Sequence, residues 1–96
     1  MDGYDRWAGA FKALSDPTRL RIFLILTRGE KCACRLHEDF ACTQPTISYH
    51  MRVLTESGLV ESRRDGATTC YRVLPEVAEA VLALLRVLPG DAGRED

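Results

Sequence analysis

The sequence predicts one small, mainly α-helical domain carrying a two-stranded β-hairpin, in the order α-α-α-α-β-β-α. Three observations predict it. Apolar residues recur at three- and four-residue spacing in separate stretches between residues 5 and 56. The spacing changes to alternation over residues 59–74, on either side of Asp65-Gly66. It returns to helical spacing at Pro75. A chain of 96 residues, 46% apolar and 28% charged, suits one ordinary globular domain. No apolar run approaches the ~20 residues that span a bilayer, so no membrane partner is expected. The polar, acidic opening MDGYDRW is unlike a signal peptide.

The elements follow in order. Trp7, Ala10, Phe11 and Leu14 lie at i, i+3, i+4 and i+7, giving an amphipathic helix over 5–14. Asp16 then caps a second helix, and Pro17 at its first position forfeits no hydrogen bond. Leu20, Phe23, Leu24 and the neighbouring isoleucines bury that helix, and Gly29 is its expected stop. A short third helix spans 34–41, with Leu36 and Phe40 on one side. Thr43 caps the fourth, and Pro45 is tolerated in its first turn. Ile47, Met51 and Leu54 form its narrow apolar seam, ended by Ser57-Gly58.

Asp65-Gly66 is the expected two-residue hairpin turn. Pairing outward from it sets Val60 opposite Tyr71, facing the core. Glu61, Arg63, Cys70 and Arg72 face the other way. The last helix starts at Pro75 and is apolar nearly all round, with Glu76, Glu79 and Arg86 its polar residues. A monomer this small has no second face to bury it, so a homodimer is expected, shared with the first helix. Trp7, Phe11, Val81, Leu84, Leu85 and Leu88 are its expected interface. The domain is expected over 1–90, with 91–96 a disordered tail.

The net charge of −1 argues against a nucleic-acid partner, but the charges are unevenly spread. Residues 17–35 hold Arg19, Arg21, Arg28, Lys31 and Arg35 against Glu30 alone. Arg52, Arg63, Arg64 and Arg72 follow within 43–72, against Glu56, Glu61 and Asp65. This is a local positive footprint on a mildly acidic body. The fourth helix buries one thin seam and turns Thr46, Tyr49, Arg52 and Val53 outward, with Ser48 and His50 on the flanks. Such a face is suited to reading a partner.

Cys32-Ala33-Cys34 is followed by His37. A disulfide framework, a redox pair, a metal site and core filling all fit two thiols so close. A reducing cytoplasm favours thiols or ligands over disulfides.

Helix–turn–helix followed by a two-stranded wing is a DNA-binding plan. The stretches FKALSDPTRLRIFLIL, QPTISYHMRVLTESGLV and RRDGATTCYRV resemble the ArsR/SmtB family of winged-helix, metal-responsive repressors. The resemblance covers roughly residues 8–88, with several separated motifs in the same order. It implies a winged helix-turn-helix homodimer in a prokaryotic cytoplasm, associated with the nucleoid, which sits on an operator and leaves it when a toxic metal or metalloid binds. It also implies that residues 43–56 are the recognition helix and Arg63–Arg72 the wing. Base edges would be read from Thr46, Ser48, Tyr49 and Arg52, helped by Gln44 and His50, with Arg63 and Arg64 on phosphates.

The arsenic-sensing branch carries Cys-Val-Cys-x-x-Cys where this chain has Cys32-Ala33-Cys34-Arg35-Leu36-His37. Two thiols carry over, and the third position is a histidine. As(III) or Sb(III) is the expected inducer, because soft ions prefer thiolates. An imidazole third ligand suits Zn(II) or Cd(II). The same fold sensing Cd(II), Zn(II) or Pb(II), or acting as a redox-responsive or non-metal repressor, is the alternative. Residues two apart share a side only on extended chain, so chelation by Cys32 and Cys34 asks for a non-helical Cys32. Cys42 and Cys70 are expected outside the site, Cys70 at a distance on the wing. The chain lacks the strand-and-crossover pattern of oxidoreductases and shows no nucleophile–base pair, so no enzyme is expected.

Overall fold

A computed structural model describes residues 3–94, with side chains described through residue 86. The elements are α1 (Gly3–Ala13), α2 (Pro17–Leu26), β1 (Lys31–Cys32), α3 (Ala33–Asp39), α4 (Gln44–Glu56), β2 (Glu61–Asp65), β3 (Thr68–Arg72) and α5 (Pro75–Arg94). The mainly helical winged helix-turn-helix fold is as expected, with β1 added.

Local chemistry sets the helix starts. The Asp16 carboxylate accepts from the backbone N–H groups of Thr18 at 2.9 Å and Arg19 at 3.1 Å, opening α2. Thr43 opens α4 by accepting from the Thr46 N–H at 3.3 Å. The α4 end is also as read: Gly58 takes φ +86, a left-handed conformation that favours glycine. The α2 end is not. That helix stops at Leu26 with Thr27 as its cap, and Gly29 is not in the left-handed region.

One core joins the helices. Ile22 and Leu26 of α2, Leu36 of α3, and Met51 and Leu54 of α4 are fully buried in it. Ala10 and Ala13 close it from α1, Leu59 and Val60 from the chain before β2, and Val77 and Val81 pack on it from α5. At about 25 cal/mol per Å² of apolar area, each large aliphatic side chain adds roughly 1.5–3 kcal/mol of gross stabilisation.

The hairpin differs from expectation in register. Asp65 pairs with Thr68, Arg64 with Thr69, Arg63 with Cys70, Ser62 with Tyr71 and Glu61 with Arg72. The turn is therefore Gly66-Ala67 rather than Asp65-Gly66. Gly66 has φ +66, as a turn with glycine at its first central position requires. Tyr71 packs against the core as read, but opposite Ser62 instead of Val60.

The sheet is three-stranded in the order β1-β3-β2, because Lys31 and Cys32 pair antiparallel with Tyr71 and Cys70. Two residues carry too little periodicity for β1 to be read from sequence. The radius of gyration is 15.0 Å, against roughly 12.5 Å for a compact chain of this length. The long α5 accounts for the excess, since 20 helical residues extend about 30 Å. Its backbone is helical to Arg94, through most of the segment expected as a tail; residues 95 and 96 lie outside the described residues.

Candidate DNA interface and thiol site

The fourth helix buries Ile47, Met51 and Leu54 and so must turn its other side outward. Gln44, Thr46, Ser48, Tyr49 and Arg52 are exposed there, Tyr49 to 50%, whereas Val53, expected with them, is half-buried against the core. The Arg52 guanidinium lies 5.8 Å from the Tyr49 ring centroid, a cation–π contact that steadies both side chains. Thr43 donates its hydroxyl proton to Thr46 Oγ1 at 2.9 Å, leaving the Thr46 hydroxyl its own proton to donate outward.

His50 differs from expectation. It is only 9% exposed, and its Nδ1 lies 3.2 Å from an Arg19 amino group. Arginine is donor-only, so Nδ1 accepts. Arg19 is held in turn by donating Nε to the Ala13 carbonyl at 2.6 Å. His50 therefore ties α4 to the α1–α2 junction and does not belong to the outward face. Its place, one residue before the Met51 seam, puts it on the buried side of the helical wheel.

The wing carries Arg63 and Arg64 on opposite faces of β2, both exposed. Arg63 donates Nε and an amino group to the two Glu30 carboxylate oxygens, each at 2.9 Å. The Arg63 hydrogen bonds hold the Glu30 carboxyl below its ordinary range, and Glu30 raises Arg63 in return. Arg64 has no acidic partner among the described residues. Sequence reasoning missed Glu30 because 33 residues separate it from Arg63.

The cysteines give the largest correction. Cys32 and Cys70 form a disulfide, where thiols were expected and Cys70 was expected far away. The reason is β1: pairing with β3 sets the two residues directly opposite each other, on one face of the sheet. Cys70 is 2% exposed. Cys32 is extended, φ −85 and ψ 158, and stands as the N-cap of α3. That is the non-helical conformation chelation asks for. Cys34, in the first turn of α3, is exposed and free, and His37 is exposed one turn on. No group of three metal-ligating side chains is assembled among the described residues, so Cys32, Cys34 and His37 do not already form a triangle. Cys42 is half-buried against the core.

The expected dimer residues are partly in view. Trp7 and Phe11 stack with ring centroids 6.0 Å apart, and Phe11 remains exposed. Val81 and Leu84 are half-buried and Leu85 is exposed; Leu88 lies beyond the described side chains. No helix is long and apolar enough to cross a membrane among the described residues.

Residues 16–62 match the profile of the bacterial regulatory protein arsR family. The arsenical resistance operon repressor of Staphylococcus aureus is 36% identical over 85 residues, spanning 88% of this chain and 82% of that protein. The fold is similar to that of an ArsR-like transcriptional regulator from Rhodococcus sp. RHA1, with a TM-score of 0.78 and 30% identity over 96% of this chain and 87% of that one. It is also similar to the homodimeric winged helix-turn-helix DNA-binding domain of a Mycobacterium bovis regulator. There the TM-score is 0.75, with 32% identity over 88% of this chain and 79% of that one. With the winged helix-turn-helix fold, the outward face of α4 and these relatives agreeing, the chain belongs to the ArsR family of transcriptional regulators.

Proposed function

We propose that this protein is a homodimeric, sequence-specific repressor that leaves its operator when As(III) or Sb(III) binds at Cys32 and Cys34. The observation that carries the reading is the position of the two cysteines. They stand at the start of α3, the first helix of the helix–turn–helix, directly ahead of the α4 face that bears Tyr49 and Arg52. The Staphylococcus aureus relative, an arsenical resistance operon repressor, supports an arsenical as inducer. The thiol donors fit a soft trivalent ion. The exposed Phe11 on α1 and Leu82 and Leu85 on α5 favour a dimer, as in the homodimeric relative. The place of action is the prokaryotic cytoplasm, on double-stranded DNA.

Release follows from geometry. Two recognition helices must meet successive major grooves about 34 Å apart. Drawing Cys34 toward Cys32 reshapes the first turn of α3 and tilts α4 with it. A typical coupling of ~1–3 kcal/mol lowers affinity roughly 5- to 150-fold. The Cys32–Cys70 disulfide favours a second reading, a redox-responsive repressor of the same fold. Cd(II), Zn(II) or Pb(II) held with the aid of His37 is the remaining alternative.

Fluorescence anisotropy of operator DNA, titrated with the reduced protein, separates them. As(III) or Sb(III) should release the DNA at lower concentration than Cd(II), Zn(II) or Pb(II), while peroxide leaves it bound. Release by peroxide and not by As(III) would establish the redox reading instead.

A further inference from the structure

The wing strand brings a third sulfur to Cys32. Cys70 of β3 lies opposite Cys32 of β1, and the same residue lies opposite Arg63 of β2. Residues facing each other across antiparallel strands share a side of the sheet. Cys32, Cys70 and Arg63 therefore form one row across three strands. The two sulfurs are in bonding contact, Cys70 is buried, and Cys32 is half-buried. A pair of sulfurs held this close, with water largely kept from one of them, is a preorganised soft-ion chelate once reduced.

We propose that Cys70 is a sulfur ligand of the metalloid site, completing three-coordinate As(III) with Cys32 and Cys34. This rests on the arsenic-sensing reading above and adds to it a ligand from the wing. The chemistry balances in two steps. A cytoplasmic low-molecular-weight thiol reduces the Cys32–Cys70 disulfide: two thiols become one small disulfide, and two protein thiols form. Arsenous acid, As(OH)₃, then exchanges its three As–O bonds for three As–S bonds. Each thiol proton leaves with a hydroxide, so three waters are released and arsenic stays trivalent. Cys32 and Cys70 are already together. Cys34 must swing in, which unwinds the first turn of α3. The inducer would then join α3 to β3, the strand paired with the one carrying Arg63, so the recognition helix and the wing are displaced by the same event.

The test is arsenic X-ray absorption on the full-length protein with arsenite as probe, without oxygen and with a phosphine as sulfur-free reductant. The wild type should show three sulfurs around arsenic. Cys70→Val keeps the buried position filled and should show two sulfurs and one oxygen. It should also need about tenfold more arsenite to release DNA. A second variant avoids the buried position: Cys34→Ser with Cys42→Ser leaves Cys32 and Cys70 as the remaining thiols, and should still show two sulfurs. One sulfur or none there, or three in Cys70→Val, overturns the proposal. If the wild type and Cys70→Val release DNA at the same arsenite concentration, Cys70 alone loses its role and arsenic sensing stands. If the wild type binds no arsenite, both readings fall.

Discussion

Arg63 on the wing and Glu30, just ahead of β1, form a bidentate ion pair with both contacts at 2.9 Å. The pair links the wing to the segment that leads into the thiol site. In the proposed DNA complex, this carboxylate would compete with DNA phosphate for Arg63. Glu30→Gln should strengthen binding to random DNA and steepen its salt dependence by about one unit of slope per protomer, since each neutralised phosphate contributes roughly −0.9. Arg63→Ala with Arg64→Ala should flatten the slope by about one such unit per protomer, the Arg64 contact, because Glu30 already holds Arg63. Anisotropy titrations across a salt series read both. An unchanged slope in the double variant would place neither arginine on phosphate.

The carboxylates also set an acid limit. The Arg63 hydrogen bonds depress Glu30, and the backbone N–H of Arg19, acting against partial desolvation, depresses Asp16. A depressed carboxyl binds its proton less tightly in the folded state. Its stabilisation is therefore present above the ordinary values of 4.5 and 3.8 and is lost as pH falls below them. Denaturation from pH 7 to pH 3 should show stability falling mainly below about pH 4.5. The fall should be smaller in Glu30→Gln. An equal fall in that variant would remove Glu30 from the account.

Separate roles are expected for neighbours on α4. Tyr49→Ala and Arg52→Ala should lower the preference for operator over random DNA while leaving thermal stability nearly unchanged. His50→Ala should do the reverse. It strands the Arg19 donor and should cost about 1–3 kcal/mol of stability. Urea unfolding and DNA titration of the same three variants make the comparison. A stable His50→Ala variant with altered operator preference would return His50 to the reading face.

Thr43→Ala removes the acceptor for the Thr46 N–H and, with it, the anchor of the Thr46 hydroxyl. A stability loss of about 1 kcal/mol is expected. Operator affinity should fall further than that loss explains, because Thr46 becomes free to rotate. Equal effects of Thr43→Ala and Thr46→Ala on DNA binding at matched stability would support this.

Leu82→Glu with Leu85→Glu places charge on the exposed apolar side of α5. Sedimentation should show the wild type near twice the 10.7 kDa chain mass and the variant as a monomer with weakened operator binding. A monomeric wild type at micromolar concentration would remove the dimer and the two-half-site geometry together.

Much was legible in the sequence because its cause is local. Asp16 and Thr43 cap helices because their side-chain oxygens reach N–H groups two or three residues away. Ile47, Met51 and Leu54 share a buried seam because of helical periodicity alone. The hairpin was legible as a hairpin, but its register was not. Asp65-Gly66 and Gly66-Ala67 both supply a glycine to the turn, and only the packing of the strands chose between them.

By itself, then, the sequence determined the helices, the N-terminal caps of α2 and α4, the hairpin and most of the outward face of α4, all of which depend on residues within a turn or two of each other. The tertiary structure decided which distant groups meet. It set Cys32 against Cys70 across 38 residues, Arg63 against Glu30 across 33, and Arg19 against His50 across 31. None of these pairs has a periodic signal. Each exists because strand pairing or helix packing closes a long loop, and the entropy of that closure is recovered from the core as a whole rather than from the two residues that touch.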